Sequence, residues 1–231
     1  MNLLAIETAT ESCSAAALAG ERLVARSELA PRRHAELLLP MCDQVLAEAG
    51  LRRHDLDAIA VGCGPGAFTG VRLAISAAQG IALALDLPVV PVSSLAALAL
   101  QAPANGAPIL AVIDARMGEI YAGWFRHDEA GLVEPITQET VTRAEALPLL
   151  DGSSWNVIGS GWSSYRDALL ARLGSAPLWD DGERYPQAID VARLAVARVH
   201  AGLAVAADEA LPVYLRDKVA LTLAEQGKQR G

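Results

Sequence analysis

A glycine loop between a strand and a helix is the feature that most constrains how this chain can fold. Residues 62–70 read Gly-Cys-Gly-Pro-Gly-Ala-Phe-Thr-Gly and follow an apolar stretch, residues 58–61, that predicts a buried strand. Residues 71–85 are almost entirely apolar or small and predict a long helix. Backbone N–H groups in such a loop, together with the helix dipole, favour an anion. The candidate phosphate-loop residues are Gly64, Gly66, Thr69 and Gly70.

Two familiar phosphate motifs do not fit this loop. A Walker A loop is excluded because no Lys-Ser or Lys-Thr pair follows a glycine at the required spacing. Gly62, Gly64 and Ala67 have the spacing of a dinucleotide fingerprint. The acid that should end the next strand, Asp86, comes before that strand instead. A tight turn that binds no ligand stays open as the alternative to a phosphate loop.

The composition favours a protein of closely packed helix and sheet layers. Hydrophobic residues make up 52% of the 231 residues and aromatic residues only 4%, so the core is built mainly of Ala, Leu and Val. The net charge of −8 argues against independent binding of nucleic acid, because phosphate contacts need clustered Lys and Arg.

Cysteine content and apolar segments predict a soluble, cytoplasmic protein. The three cysteines are far apart and form no Cys-x-x-Cys pair, so neither a disulfide framework nor a structural zinc site is expected. The N-terminus lacks the basic and long apolar regions of a signal peptide. The longest apolar helix, estimated at about 13 residues over 73–85, is too short to span a bilayer.

The predicted elements divide the chain into two lobes. In the first lobe, a meander of three strands is followed by alternating helices and strands, which is typical of a mixed sheet with helices on its faces. The predicted strands are 2–8, 14–19, 22–29, 58–61 and 87–92, and the predicted helices are 34–49, 71–85 and 93–101. Residues 102–108 contain only Pro, Gly and small or polar residues and mark a boundary. We therefore expect an N-terminal lobe of residues 1–104 and a smaller C-terminal lobe of residues 105–231.

The second lobe repeats the opening pattern of the first. A buried strand at 109–114 leads through a turn into a strand at 119–126, like the opening hairpin of the chain. The later elements are a strand at 156–158 and helices near 165–173 and 188–201. The last segment is a candidate to return to the first lobe, and residues 225–231 are predicted to fray.

Several motifs together resemble one protein family. Residues 4–10 (Leu-Ala-Ile-Glu-Thr-Ala-Thr) resemble the first phosphate hairpin of the actin, hexokinase and Hsp70-like ATPase superfamily. Three further motifs resemble the TsaB (also called YeaZ) branch of this superfamily. They are residues 33–40, residues 64–74 (Gly-Pro-Gly-Ala-Phe-Thr-Gly-Val-Arg-Leu-Ala) and residues 212–216 (Pro-Val-Tyr-Leu-Arg). The resemblance covers nearly the whole chain. It implies an α/β fold of two actin-like (ribonuclease H-like) lobes, each a mixed sheet with flanking helices.

The resemblance also implies a noncatalytic role in tRNA modification. Members of this family act as dimerisation and activating subunits for TsaD, the catalytic subunit that forms threonylcarbamoyladenosine at adenosine 37 of tRNA. The implied partners are a TsaD-like subunit and a TsaE-like ATPase. The resemblance further implies that the protein forms a homodimer in the absence of its partners and contacts tRNA only as part of the complex. Neither a catalytic residue nor a cofactor of its own is expected.

The metal-binding histidines of TsaD have no counterpart in this sequence. In TsaD, two histidines four residues apart on one helix bind a metal, since that spacing presents both rings on one face. Ser94 and Leu98 stand at the corresponding positions, and none of the four histidines forms such a pair. We therefore expect no metal site.

Two apolar helices are the predicted interface with the partner. A sheet can cover only one side of helix 71–85, which is apolar nearly all round. We expect its other side, together with helix 34–49, to pack on the equivalent helices of TsaD. The predicted interface residues are Leu37, Leu38, Met41, Val45, Val71, Ile75, Ala78 and Ala82, with Met41 and Ala78 expected to be exposed. Mutual burial of the two helices stays open as the alternative.

Two enzymatic alternatives also remain open. Glu7 and Asp114 each end an apolar strand, where an acid could position Mg²⁺ and ATP in an independent actin-like enzyme. Cys63 lies at a strand-to-helix turn, where a thiolate could be activated by the helix N-terminus. His34 is the candidate base of such a cysteine hydrolase or peptidase.

Overall fold

The first sheet of the molecule has five strands in the order β3-β2-β1-β4-β5. The computed structural model describes residues 1–150, 152 and 154–216. The strands are β1 (Asn2–Glu7), β2 (Ser12–Ala19), β3 (Arg22–Leu29), β4 (Ala58–Gly62) and β5 (Val89–Val92). β1, β2 and β3 form an antiparallel meander, and β4 and β5 run parallel to β1. The predicted fraying of residues 225–231 lies outside the described residues.

The second sheet has the same connectivity as the first. Its strands are β6 (Ile109–Arg116), β7 (Glu119–His127), β8 (Val133–Pro135), β10 (Asn156–Ile158) and β11 (Trp179–Asp181), with β9 (Thr140–Thr142) paired to β7. The antiparallel meander β6-β7-β8 repeats β1-β2-β3, and the parallel strands β10 and β11 repeat β4 and β5. This repeat confirms the predicted two-lobed α/β fold.

Helices cover both faces of the first sheet. Its strands alternate apolar residues between two cores, as the two-residue period of a strand requires. On one face, α1 (His34–Ala49) and α2 (Phe68–Leu85) pack against side chains such as Ile6, Ile59 and Val61. On the other face, α5 (Ala188–His200) packs against Leu3, Ala60 and other small residues of the same strands.

The second sheet lies between α3 (Ser94–Ala99) and α4 (Ser160–Leu173). Ser93 caps α3, because its side chain accepts a hydrogen bond from the Ala96 N–H at 3.1 Å. The helix that follows each sheet in the chain therefore packs against the other sheet, α3 on the second and α5 on the first. The division at residue 104 stays a prediction, since α5 belongs to the second part of the chain and packs on the first sheet.

Most predicted elements match the observed ones, and the differences lie at edges and ends. The short strands β8, β9 and β11 were not predicted, because none of their residues is fully buried and their sequences carry no apolar run, unlike the equally short but fully buried β10. Helix α2 begins at Phe68 and has 18 residues, so the estimate of 13 residues was wrong. Among the described residues, α2 is the one helix long and apolar enough to cross a membrane, but Ala74, Ala78 and Ala82 are buried against its own sheet.

Asp190 in the first turn of α5 is a buried acid in this otherwise apolar layer. It is 3% exposed, and its carboxylate accepts a hydrogen bond from the Arg193 guanidinium at 3.2 Å. Burial raises the pKa of Asp190 to about 6, and the attraction of Arg193 offsets only part of this shift. Because the folded-state pKa is the higher one, the folded state favours the protonated acid. Stability should therefore fall as pH rises from about 4 to about 6.

We predict that Asp190→Asn raises the free energy of unfolding by about 1–3 kcal/mol at pH 7.5 and leaves it nearly unchanged at pH 4. The amide keeps the shape of the side chain and carries no charge that must be desolvated. Urea denaturation at the two pH values measures the effect, with Asp167→Asn on the exposed side of α4 as the control. A loss of stability at pH 7.5 would contradict this prediction and would mean that the ionised carboxylate holds α5 in place.

Candidate functional site

The glycine loop packs tightly against the turn that follows β1. The Ala67 N–H donates a hydrogen bond to the Ala9 carbonyl at 2.7 Å, and the Thr8 hydroxyl donates to the Gly70 carbonyl at 2.7 Å. A Cβ on Gly66 would overlap the backbone of Ala9, and one on Gly70 would overlap the carbonyl oxygen of Thr8. Only glycine at positions 66 and 70 therefore allows the loop backbone to lie this close to the backbone of the turn after β1. An anion is not needed to account for them.

The loop is also bonded to two other segments. Gly64 has a positive φ of 96°, which glycine adopts without strain, and its carbonyl accepts from the Ser94 N–H at 2.9 Å. The Cys63 carbonyl accepts from the Val213 N–H at 2.8 Å, so the C-terminal part of the described chain crosses the loop. Thr69 lies exposed in the first turn of α2. The anion-binding role of the loop stays a prediction.

Glu7 is a buried acid that bonds to its own lobe. One carboxylate oxygen accepts from the Ala9 N–H at 2.6 Å and the other from the Ser94 hydroxyl at 2.7 Å. Glu7 is fully buried, and burial raises its pKa above the usual value despite these hydrogen bonds. A Cβ on Gly62 would overlap the carboxylate, so a glycine is needed beside it. These contacts give Glu7 a structural role inside the first lobe.

Asp114 lies at the rim of a cleft between the two hairpins. Its carboxylate accepts from the Arg116 N–H at 2.8 Å and forms an ion pair with the Arg116 guanidinium at 3.1 Å. The cleft has a volume of about 310 Å³. Its lining includes Thr10, Phe68, Asp114, Tyr214 and Arg216, but Glu7 does not reach it. The two acids proposed for a Mg²⁺ and ATP site therefore do not face a common space.

No metal site forms within the part of the chain that the structure describes. No group of three or more His, Cys, Asp or Glu residues there could hold an ion. Ser94 is fully buried and bonded to Glu7, and Leu98 is fully buried in the apolar core between α3 and the second sheet. The two positions that correspond to the TsaD histidines thus serve packing.

Cys63 and His34 do not form a nucleophile and base pair. The Cys63 thiol donates to the Val92 carbonyl at 3.2 Å, and burial raises its pKa to about 12, which disfavours the reactive thiolate. The His34 Nε2 lies 2.9 Å from the Thr10 carbonyl oxygen. Each side chain is bonded to backbone, so the arrangement lacks the geometry of a cysteine hydrolase.

The predicted interface residues lie mainly on the inner side of their helices. Leu38, Met41, Val45, Val71, Ile75, Ala78 and Ala82 are all buried in the core of the first lobe, and Leu37 is partly buried. The expectation that Met41 and Ala78 are exposed was wrong, since they are 8% and 0% exposed. The physical reason is that both sides of α2 are apolar, so the sequence pattern cannot tell which side faces the sheet.

The outer side of α2 is apolar and carries small residues. Leu83 and Phe68 are 66% and 48% exposed, and Ser76, Gly80 and Ala84 are exposed between them. From Leu73 to the end of the helix no residue is charged. A Cβ on Gly80 would meet no atom within 4 Å, so the space above this glycine is open. A glycine in the middle of an apolar helix was the sequence signal that could have identified this side.

We predict that Gly70→Ala lowers the free energy of unfolding by about 1–3 kcal/mol, since its Cβ would overlap the Thr8 carbonyl and force the loop and turn apart. Gly80→Ala is the matched control, because it adds the same methyl group to the same helix in open space. It should stabilise the protein by up to about 1 kcal/mol through helix propensity. Thermal and urea denaturation measure both effects. Equal stability of the two variants would contradict the tight loop packing.

Comparisons with known proteins identify relatives over nearly the full chain. A family model described as TsaD, tRNA N6-adenosine threonylcarbamoyltransferase, matches residues 26–153. The chain is 40% identical over 226 residues to the tRNA threonylcarbamoyladenosine biosynthesis protein TsaB of Escherichia coli, with 95% of this chain and 96% of the relative covered. It is 34% identical over 229 residues to TsaB of Haemophilus influenzae, with 95% of each chain covered.

A solved structure shares the fold. YeaZ from Pseudomonas aeruginosa superposes with a TM-score of 0.86 at 41% identity, and the match covers 93% of this chain and 99% of that one. The repeated sheets, the position of the glycine loop and these relatives agree with one another. The chain belongs to the TsaB (YeaZ) family.

Proposed function

We propose that this protein is a noncatalytic subunit in the biosynthesis of threonylcarbamoyladenosine at adenosine 37 of tRNA, where it binds and supports a TsaD-like subunit. The single observation that carries the proposal is the outer side of α2, which is apolar and, from Leu73 to the end of the helix, uncharged. An exposed helix face of this kind on a protein with a complete core is typical of a protein interface.

The geometry of α2 supports a helical partner. Ser76, Gly80 and Ala84 are spaced four residues apart and lie on one side of the helix. Their small size lets a second helix approach closely, and a glycine in mid-helix otherwise costs about 1 kcal/mol relative to alanine. That cost at an exposed position is offset if a partner helix packs there.

Helix α1 contributes less apolar surface than α2. Leu39 is 55% exposed and Leu37 is partly exposed. The outer side of α1 also carries Glu36, Asp43 and Glu48, which form ion pairs with Arg33, Arg53 and Arg26. We therefore place the centre of the interface on α2 and its polar rim on α1, as interfaces commonly arrange apolar and charged residues. The proposed interface therefore consists of outward-facing residues and no longer includes the buried residues Leu38, Met41 and Val45.

The contacts of the glycine loop support a noncatalytic role. Glu7 and Ser94 are hydrogen-bonded to each other, and the Cys63 thiol is buried. Gly66 and Gly70 allow the loop to pack closely against the turn after β1. Groups committed to internal contacts in this way are not available to a substrate. The chemistry of threonylcarbamoyl transfer then resides in the TsaD-like partner. A TsaE-like ATPase completes the complex, tRNA is met only through it, and the protein acts in the cytoplasm.

The same outer side of α2 should form a homodimer when the partner is absent. Related lobes present similar faces, so a two-fold arrangement can satisfy the same apolar surface. Competition between the homodimer and the heterodimer is then expected.

We predict that Gly80→Arg lowers the affinity for the TsaD-like subunit at least about tenfold, because a long charged side chain would have to be buried in a close helix contact. Isothermal titration measures the affinity, and circular dichroism checks the fold. The control is Ala197→Arg, an exposed alanine on α5 far along the chain from this face. Sedimentation should show that the same substitution converts the free protein to monomer. Unchanged affinity for Gly80→Arg and for Ala84→Arg would rule out α2 as the interface.

We further predict that tRNA is modified only when the TsaD-like subunit is present. Reconstitution with the TsaD-like and TsaE-like proteins, tRNA and threonylcarbamoyl-adenylate, with each omitted in turn, measures this by detection of the modified nucleoside. Omission of this protein should lower the yield. Modified tRNA formed by this protein alone would overturn the noncatalytic role.

A further inference from the structure

A segment near the end of the described chain crosses from one lobe to the other. We call residues 211–216 the strap. Just before it, the Gln79 side chain of α2 donates to the Ala210 carbonyl at 3.1 Å. The Val213 N–H donates to the Cys63 carbonyl at 2.8 Å, which attaches the start of the strap to the glycine loop. The first half of the strap is thus bonded to the first lobe.

The end of the strap is bonded to the second lobe. The Arg216 guanidinium donates to the Ala115 carbonyl at 3.1 Å and forms an ion pair with Glu119, at the turn that joins β6 to β7. The Arg216 side chain is 19% exposed, so this ion pair is more sheltered than the pair between Arg116 and Glu11, in which Arg116 is 70% exposed. A largely buried guanidinium with several hydrogen-bond acceptors contributes more to stability than an exposed ion pair does.

The middle of the strap contacts the first turn of α2. The Arg72 guanidinium lies over the Phe68 ring, 3.1 Å from its centroid, and 5.0 Å from the centroid of the Tyr214 ring. The Phe68 and Tyr214 centroids are 6.3 Å apart. Phe68 is the first residue of α2, which has no side-chain N-cap. The aromatic ring of the strap therefore holds a helix end that lacks the usual capping contact.

We propose that the strap couples closure of the cleft between the two hairpins to the order of the first turn of α2. The cleft of about 310 Å³ lies beneath the strap and is lined by both hairpins and by Arg216. When the hairpins separate, Arg216 loses its acceptors on β6 and β7, and the strap then no longer presses Tyr214 on Phe68 and Arg72. Through the strap, the equilibrium between the closed and open cleft is linked to the equilibrium between the ordered and frayed first turn of α2.

This coupling extends to the partner, and that step rests on the proposed function. Phe68 and Leu83 stand at opposite ends of the exposed side of α2. A first turn that is held in place presents the whole length of this side to a TsaD-like helix. Release of the strap shortens the ordered face, so that partner binding has to reorder it. Closure of the cleft and binding of the partner then favour each other by the same factor.

The experiment compares Arg216→Ala and Tyr214→Ala with the control Arg126→Ala, whose ion pair with Glu134 lies within the second sheet. Amide hydrogen exchange in the free protein is measured at Val71, which donates to the Ala67 carbonyl, and at Val213. We expect Arg216→Ala to speed exchange at both amides about tenfold, although these amides are hydrogen-bonded to Ala67 and Cys63 and not to Arg216. Tyr214→Ala should speed exchange at Val71, and Arg126→Ala should change neither.

Exchange at Val71 that is unchanged in Arg216→Ala would overturn the coupling. If Arg216→Ala unfolds the whole protein, Arg216→Lys provides the test, because it keeps the charge and loses the several-donor contact. Faster exchange at Val71 in the folded Lys variant supports the strap, and unchanged exchange overturns it.

Partner binding separates this proposal from the proposed function. Arg216→Ala should lower affinity for the TsaD-like subunit about tenfold, within the usual range of coupling between sites. Gly80→Arg should lower this affinity at least about tenfold without changing exchange at Val71. Normal binding by Gly80→Arg would overturn the interface and leave the exchange result standing. Normal binding by Arg216→Ala, with Gly80→Arg inactive, would overturn the extension of the coupling to the partner.

Discussion

The close contact between the glycine loop and the turn after β1 is the constraint on which the rest of this structure depends. Gly66 and Gly70 lie against the backbone of Ala9 and Thr8 with no room for a side chain. The contact determines where α2 starts, because the loop enters this helix directly. It also places Glu7 beside Ser94, which joins the end of β1 to the start of α3. This single backbone contact thus positions the end of β1 and the starts of α2 and α3.

The two lobes share one connectivity, and the helices that follow their sheets are exchanged between them. Helix α3 packs on the second sheet and α5 packs on the first. This exchange buries apolar surface from both halves of the chain in common layers, so the lobes stabilise each other. The boundary at residue 104, drawn from composition, stays a prediction.

The glycine loop and helix α2 differ in how much of their surface is left open after folding. The loop has the residue pattern of a phosphate site, but its glycines and its neighbouring acid are used for internal contacts. Helix α2 is apolar on both sides, and one side remains open after the core is formed. The glycine loop thus serves internal packing, and the exposed apolar surface lies on the helix that follows it.

The sequence by itself determined the α/β class, most strands and helices, the repeat of the opening hairpin and the family. These follow from local periodicity and from a motif that continues through Thr69 and Arg72. Only the tertiary structure decided which side of α2 is free, because Ala78 and Gly80 look equally suited to a helix contact until the sheet is placed. It alone also showed that Glu7 is buried while Asp114 lines a cleft, and that Arg216 reaches the second lobe. The physical reason is that burial and hydrogen-bond partners at these positions come from segments distant in the chain, which local pattern does not contain.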